Sequence, residues 1–338
     1  MSRLILTLSL TPELYLYPVR LDKVLRDGLI KQKQIHLSRG ELKAFFEQGK
    51  ITLSGRMASA QTLLSAGEYL IEIEAGEDLE SERGAQPSLH LNARVLYEDS
   101  EILVIDKPSG VPSVPHSASE TETAVGLALK HCPKLRQWPK QTLEPGLLHR
   151  IDTETSGALV FAKTEAEYQR LRGAWKTAQT QKTYRALVDV FEPLPDHLPH
   201  IIRLPIGHDQ KSSRRMRIAT RDQLYRVRGK PLEAQTDLID VQEVMTLNQP
   251  HERPVADLTL QIHTGVMHQI RVHLSSLSWP ILGDQTYHPS FRKNLLPTTR
   301  LWLHAWKLTL PLQSGSFLEI TAPLPTDWPE QCMNNTRS

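Results

Sequence analysis

The residues best able to carry chemistry lie in one stretch, HRIDTETSGALVFAK, running from His149 to Lys163. A carboxylate, Asp152, stands just ahead of a Thr-Ser-Gly turn, and an apolar segment follows it. An acid so placed can sit at the mouth of a cleft, where its surroundings decide whether it reacts. The same Asp could equally bond nearby backbone and cap the turn, so the residue types alone leave both roles open. Positive charge is the second feature. Residues 203–230 hold nine Lys or Arg against two acids, among them Lys211, Arg214, Arg215 and Arg217. Residues 20–56 hold nine against four, including Arg20, Lys23, Arg39, Lys43, Lys50 and Arg56. Such runs suit a phosphate backbone, although a solvated surface can also carry them.

Other chemistries find little support. His263, His268 and His273 recur at every fifth position, which does not put all three on one helical face. No cysteine pair or H-E-x-x-H accompanies them, so no metal is expected. There is no Walker loop or dinucleotide fingerprint. Cys132 and Cys332 cannot build a disulfide framework and are expected to be free thiols in a reducing cytoplasm. The opening MSRLILTLSL is interrupted by Pro12 and Glu13 and has no cleavage site, so it is expected to be a strand or a loosely packed arm. No apolar run approaches the roughly 18 residues of a membrane helix. A soluble, cytoplasmic, monomeric protein is expected, and a net charge of +2 says little about its partners.

The string H-R-L/I-D-x-x-T-S-G-x-x-x-x-A-K is the signature of the RluA-type pseudouridine synthases, and His149–Lys163 resembles it throughout. Other segments resemble the same family in the same order. They are VLYEDSEILVIDKPSGVPSVP (95–115), KTYRALV (182–188), PIGHDQKSSRRMRIA (205–219), HTGVMHQIRVHL (263–274), PILGDQTY (280–287) and RLWLHAWKLTL (300–310). The resemblance covers about residues 93–328. It implies an isomerase that converts uridine to pseudouridine within RNA and needs no cofactor, because the reaction has no redox step and loses no group.

The resemblance also assigns roles. Asp152 is the essential carboxylate. Arg271 pairs with it, and a guanidinium cannot lose its charge, so it favours the ionised form of its neighbour. Tyr184 lies against the target base and Ile270 packs on the other side. Arg150 fills the space that the flipped base vacates, or contacts phosphate. His149, His268 and Gln269 join the substrate-binding set, with Lys211, Arg214, Arg215 and Arg217 along the RNA backbone. Whether Asp152 adds to the base or assists at the sugar stays open. One segment departs from the family: where G-R-T-H-Q-I-R is usual, Val266 and Met267 replace the Arg and Thr, which puts the substrate in question.

The elements that must position these residues are legible in part. Leu21, Val24, Leu25 and Leu29 fall at helical spacing. Ser38 can cap a second helix with Glu41 as its partner, Leu42, Phe45 and Phe46 form its apolar face, and Gly49 ends it. ITLSGR and the stretch to YLIEIE read as strands. Residues 18–75 resemble the small αL RNA-binding domain of a ribosomal small-subunit protein and of many RNA-modifying enzymes, which implies binding to structured RNA through Arg20, Lys23, Arg39, Lys43, Lys50 and Arg56. Residues 1–75 are therefore expected to form this domain, 76–92 a polar linker, 93–330 the catalytic domain and 331–338 a tail. Further on, residues 123–131 and 165–178 and VMHQIRVHLSSL read as helices. ALVFAK, TYRALVDV, RMRIA, LEAQTDLIDVQEV, ADLTLQIH, RLWLHAWKLTL and FLEITA read as strands, and 221–255, which fits the family pattern poorly, as a stretch containing an elaborated hairpin. Many strands with few crossover helices predict an α+β fold, a mainly antiparallel mixed sheet with flanking helices. The RNA is expected to be ribosomal, with transfer RNA or a catalytically inactive RNA-binding assembly protein as alternatives.

Overall fold

The computed structural model describes residues 2–11, 17–33, 39–75, 84–117, 119–138, 142–177, 179–246, 254–289 and 300–329. The chain divides into two compact units, one of residues 1–91 and 114–145, the other of residues 92–113 and 146–338.

The first unit contains β1 (Ser2–Leu10), β2 (Val19–Arg20), α1 (Leu21–Lys33), α2 (Arg39–Glu47), β3 (Ile51–Leu53), β4 (Arg56–Met57), β5 (Leu63–Leu64), β6 (Gly67–Ala75) and α3 (Ala124–His131). An antiparallel sheet runs in the order β1-β6-β3-β4, and β2 pairs with β5. In β1, Leu6, Leu8 and Leu10 are buried while Ile5, Thr7 and Ser9 are exposed. That alternation gives the sheet one apolar face, and it is why the N-terminal segment forms a strand and not a loose arm. Leu21, Val24, Leu25 and Leu29 of α1 and Leu42 and Phe46 of α2 pack on this face. A Cβ at Gly28 would meet the Leu8 side chain at 2.3 Å, so glycine lets the helix lie close to the sheet. Gly49 closes α2 at φ 67, with Lys50 N donating to Phe45 O and Gly49 N to Phe46 O. This paired arrangement satisfies the last carbonyls of the helix. The expected cap Ser38 lies outside the described residues.

The unit boundaries differ from the expected ones. Residues 114–145 belong with the N-terminal unit, and 84–91 do not behave as a free linker (76–83 and the tail lie outside the described residues). The Glu122 carboxylate accepts from Ser88 Oγ and from the backbone N–H of Leu89, His90 and Leu91. Lys130 on α3 donates to the Leu91 carbonyl at 3.0 Å. These side-chain clamps come from residues about thirty to forty positions away, which composition could not reveal.

The second unit contains β7 (Arg94–Glu98), β8 (Ile102–Lys107), β9 (Ser156–Ala162), α4 (Glu165–Lys176), β10 (Gln181–Asp189), β11 (His200–Arg203), β12 (Ile206–Asp209), β13 (Met216–Ile218), β14 (Val227–Leu232), β15 (Gln235–Thr246), β16 (Pro254–Ile262), α5 (Gln269–Ser276), β17 (Leu303–Pro311) and β18 (Phe317–Thr321). The main sheet runs β11-β15-β16-β10-β17-β9-β8-β7, with β18 also on β17. Its pairs are antiparallel except β17 with β9. β9 is buried along its whole length, and Val160, Ala162, Leu308, Ile320 and Leu171 of α4 share one core. β13-β12-β14 form a second, small sheet. The mixed sheet with few helices is the α+β architecture expected.

Three local readings change. β14 and β15 are separate strands in different sheets, so Glu233 and Ala234 break the run read as a single strand, while β15 pairs antiparallel with β16. β11 adds an edge strand that its four residues HIIR did not announce. The helix read from Val266 starts only at Gln269, because His268 takes a left-handed conformation with φ 56. Among the described residues, no helix is long and apolar enough to cross a membrane.

Candidate active site

Asp152 lies in the loop that leads into β9. Its main-chain carbonyl accepts from Thr155 N at 3.1 Å, which closes the turn. The neighbouring Ile151 is held at both ends by Ser113 Oγ, which donates to its carbonyl at 2.6 Å and accepts from its N–H at 3.1 Å. Lys107, at the end of β8, is fully buried and donates to the carbonyls of Pro108, Val111 and Thr153 at 2.9, 2.6 and 2.9 Å. Gly110, at φ 83, donates its N–H to Thr153 O. The K-P-S-G loop therefore braces the Asp152 loop through backbone groups. Burial pulls the Lys107 ammonium down to about 7, opposed by the charges of Asp152, Glu154 and Asp106; three carbonyl acceptors use all three of its N–H groups.

Arg271 projects from α5 and is buried. Its Nη1 donates to Asp152 Oδ2 at 2.9 Å. Its other edge grips Asp284, with Nε on Oδ2 at 2.8 Å and Nη2 on Oδ1 at 2.9 Å, and Nη2 also reaches Thr286 Oγ1 at 3.3 Å. Two-point pairing of this kind fixes a guanidinium plane as well as its charge. Asp284 is itself fixed by N–H bonds from Thr286 and Tyr287. Burial alone would raise the Asp284 carboxyl, but the Arg271 bonds and charge, with those N–H groups, hold it below the usual carboxylate range. The Arg271 pKa is raised despite burial, by Asp284 first and then Asp152. Asp152 Oδ1 receives no hydrogen bond among the described residues, so one carboxylate oxygen is engaged and the other open.

Tyr184 sits on β10, opposite Leu260 and Ala305 at a register shift, and is buried. Burial, then the negative charge of Asp152, pushes its phenol well above the ordinary value. The phenol thus stays protonated and lies within the field of Asp152. Ile270 is buried on α5. His268 Nε2 lies 3.9 Å from Asp152 Oδ2. Burial holds the His268 pKa below its ordinary value, against the pull of Asp152, so the ring is neutral.

The remaining expected residues divide. Gln269 is a correction: it is buried, its Nε2 donates to Gln235 O and Thr236 Oγ1, and its Oε1 accepts from Thr264 Oγ1 and Val266 N. It ties α5 to β15 and has no group left for RNA. His149 packs against Trp175 of α4. Its ring stacks on Trp175 at 5.0 Å and its buried Nε2 has no partner among the described residues, while burial and then Lys182 push it down to about 3. Arg150, Lys211 and Arg214 are exposed. Arg217 is paired with Asp209, and the Arg215 guanidinium lies over the Tyr287 ring. In the first unit, Lys23 and Arg56 are exposed, Arg20 pairs with Asp22, Lys43 with Glu47, and Lys50 lies over Phe45. The Arg39 side chain lies outside the described residues.

Sequence reasoning missed Asp284 and Tyr287 as site residues. The signal was present in PILGDQTY: an Asp two and three residues ahead of N–H donors is a turn-forming pattern, and a buried arginine shared by one carboxylate needs a second.

Comparisons with known proteins give the family. The family described as RNA pseudouridylate synthase matches residues 101–276. Ribosomal large subunit pseudouridine synthase D of Nitrosomonas europaea is 30% identical over 328 residues, 95% of this chain and 86% of that protein. An uncharacterized RNA pseudouridine synthase of Chloroflexus aurantiacus is 33% identical over 292 residues, 86% of this chain and 83% of that one. The solved structure of human RNA pseudouridylate synthase domain containing 1 shares the fold, with a TM-score of 0.52 at 23% identity over 75% of this chain and 98% of that one. The chain belongs to the RNA pseudouridylate synthase family. It is an isomerase that acts on uridine in RNA.

Proposed function

We propose that Asp152 is the reacting carboxylate and that the substrate is large-subunit ribosomal RNA. The contact from Arg271 Nη1 to Asp152 Oδ2 carries the reading. It joins two residues 119 positions apart and sets a permanent positive charge against one oxygen of the carboxylate. The reaction breaks the N1–C1′ bond, turns the uracil and forms a C5–C1′ bond; C5 loses a proton and N1 gains one, so atoms balance without a cofactor. Asp152 meets the nucleoside through Oδ1, while Arg271 retains Oδ2. Tyr184 lies against the base, with Ile270 beyond it. The target must first leave its stack, which costs a few kcal/mol and least in loops, and exposed Arg150 takes the vacated space. Lys211 and Arg214 hold the backbone nearby, and Lys23 and Arg56 of the first unit bind structured RNA. The choice of ribosomal RNA is supported by relatives named ribosomal large subunit pseudouridine synthase D.

The test is to map pseudouridines in total RNA from cells with and without this protein. At least one large-subunit site is expected to vanish. Loss confined to transfer RNA would overturn the ribosomal assignment, and no loss in any RNA would overturn the enzyme's proposed substrate class.

A further inference from the structure

One phenol joins the basic segment to the Asp152 site. Tyr287 is buried, and its hydroxyl accepts from Met216 N at 2.8 Å and lies 2.9 Å from His268 Nδ1. Met216 opens β13, beside Arg214, Arg215 and Arg217. Because Met216 donates to the oxygen, the phenol hydrogen is left for an acceptor, and Nδ1 is the acceptor within reach among the described residues. A neutral imidazole carries one proton. If Nδ1 accepts, that proton is on Nε2, the nitrogen that stands 3.9 Å from Asp152 Oδ2.

Tyr287 is built to keep this place. Its N–H donates to Asp284 Oδ1 and its carbonyl accepts from Ser275 Oγ. Its ring meets the His268 ring edge-on at 5.6 Å, and the guanidinium of Arg271 lies 5.4 Å from its centroid. His268 holds a left-handed backbone, φ 56, a conformation uncommon for a non-glycine residue.

We infer that Tyr287 is a positioning residue whose hydroxyl fixes His268 as the Nε2–H tautomer, giving Asp152 an uncharged N–H donor beside Arg271. This rests on the reading of Asp152 as the reacting group. A shift of roughly 1 Å brings Nε2 from its present separation to hydrogen-bond distance. With Arg271 and His268 both on Oδ2, Oδ1 is the oxygen directed at the nucleoside. The backbone donor that starts this relay, Met216 N, sits in the segment proposed to hold RNA, so the tautomer is set where the backbone is gripped.

The test reads the tautomer directly and does not depend on activity. In protein labelled with 15N-histidine, long-range 1H–15N correlations report which ring nitrogen of His268 carries hydrogen, assigned by the signals that disappear in His268→Gln. Nε2–H is expected in the native protein, and a shift toward Nδ1–H in Tyr287→Phe, which keeps the ring and removes the hydroxyl. Nδ1–H in the native protein would overturn the inference. In single-turnover reactions Tyr287→Phe is expected to slow the chemical step at least about tenfold, below the usual cost of removing one aligned donor, with RNA affinity unchanged. His268→Gln, whose amide nitrogen can stand near the Nε2 position, should retain more rate than His268→Asn. Equal rates for native protein and Tyr287→Phe, with the tautomer changed, would also overturn it. An active Asp152→Asn variant would instead remove the underlying reading and leave the tautomer result standing.

Discussion

Replacing Asp284 by Asn probes the support of the site without touching the carboxylate proposed to react. Asp284 Oδ1 accepts from Arg271 Nη2, Thr286 N and Tyr287 N, and Oδ2 accepts from Arg271 Nε. An asparagine keeps the most bonds with its carbonyl at the Oδ1 position. Its amide then points N–H at Arg271 Nε–H, donor against donor. Breaking one side of a buried ion pair costs about 3–5 kcal/mol, and because Arg271 retains Asp152 the lower end, about 3 kcal/mol, applies. A unit of this size loses roughly 2–4 °C of melting temperature per kcal/mol, so a fall of about 6–12 °C is expected. The guanidinium, now with Asp152 as its one full counter-charge, is free to tilt, and Oδ1 loses its fixed direction. Single-turnover isomerisation, followed by tritium release from 5-tritiated uridine in RNA, should slow while RNA affinity holds. A variant with unchanged melting temperature and unchanged rate would refute the claim that Asp284 orients Arg271.

Three further outcomes follow from the geometry. His304 is buried, bonded to Ser156 Oγ at Nδ1, and held down to about 4 by burial first and then by Arg300 and Arg185. Its folded pKa lies below the unfolded value, so the unfolded chain takes up its proton first; stability is full above about pH 6.5 and is lost as pH falls toward 4, by about 3 kcal/mol. Urea titrations of His304→Gln should show a flatter pH dependence across that window, and an identical slope would count against it. A Cβ at Gly157, φ 114, would meet Ala305 O at 2.3 Å where β9 pairs with β17; Gly157→Ala should destabilise the second unit enough to lower its melting temperature sharply, and a native-like melt would contradict this. Reversing Lys23, Lys43 and Arg56 to Glu should weaken RNA binding and reduce the slope of log Kd against log salt by roughly 0.7–0.9 for each phosphate no longer neutralised. An unchanged slope would remove that face from RNA binding.

The parts of this molecule that obey a short period were legible in the sequence. Leu21, Val24, Leu25 and Leu29 read as a helix face and form one, because all four bury against a single sheet. Asp152, Tyr184 and Arg271 were legible only through family resemblance. Their spacing in the chain says nothing of the loop, strand and helix that bring Arg271 onto Asp152 and place Tyr184 within its field. What escaped needed tertiary information. The Glu122 clamp on residues 88–91 rests on a carboxylate facing three N–H groups about thirty positions away. The start of α5 depends on the left-handed turn at His268, held by a tyrosine nineteen residues on. Gln269 looked like a substrate contact because it sits in the family-like segment 263–274, yet its amide is consumed by β15 and the Thr264 loop.

The central claim is that one carboxylate, Asp152, performs the isomerisation. It is tested most directly by Asp152→Asn, a change of a single oxygen to an amide, assayed for tritium release alongside RNA affinity. No detectable pseudouridine is expected, with affinity within a few-fold of the native protein. Isomerisation at a measurable fraction of the native rate would contradict it.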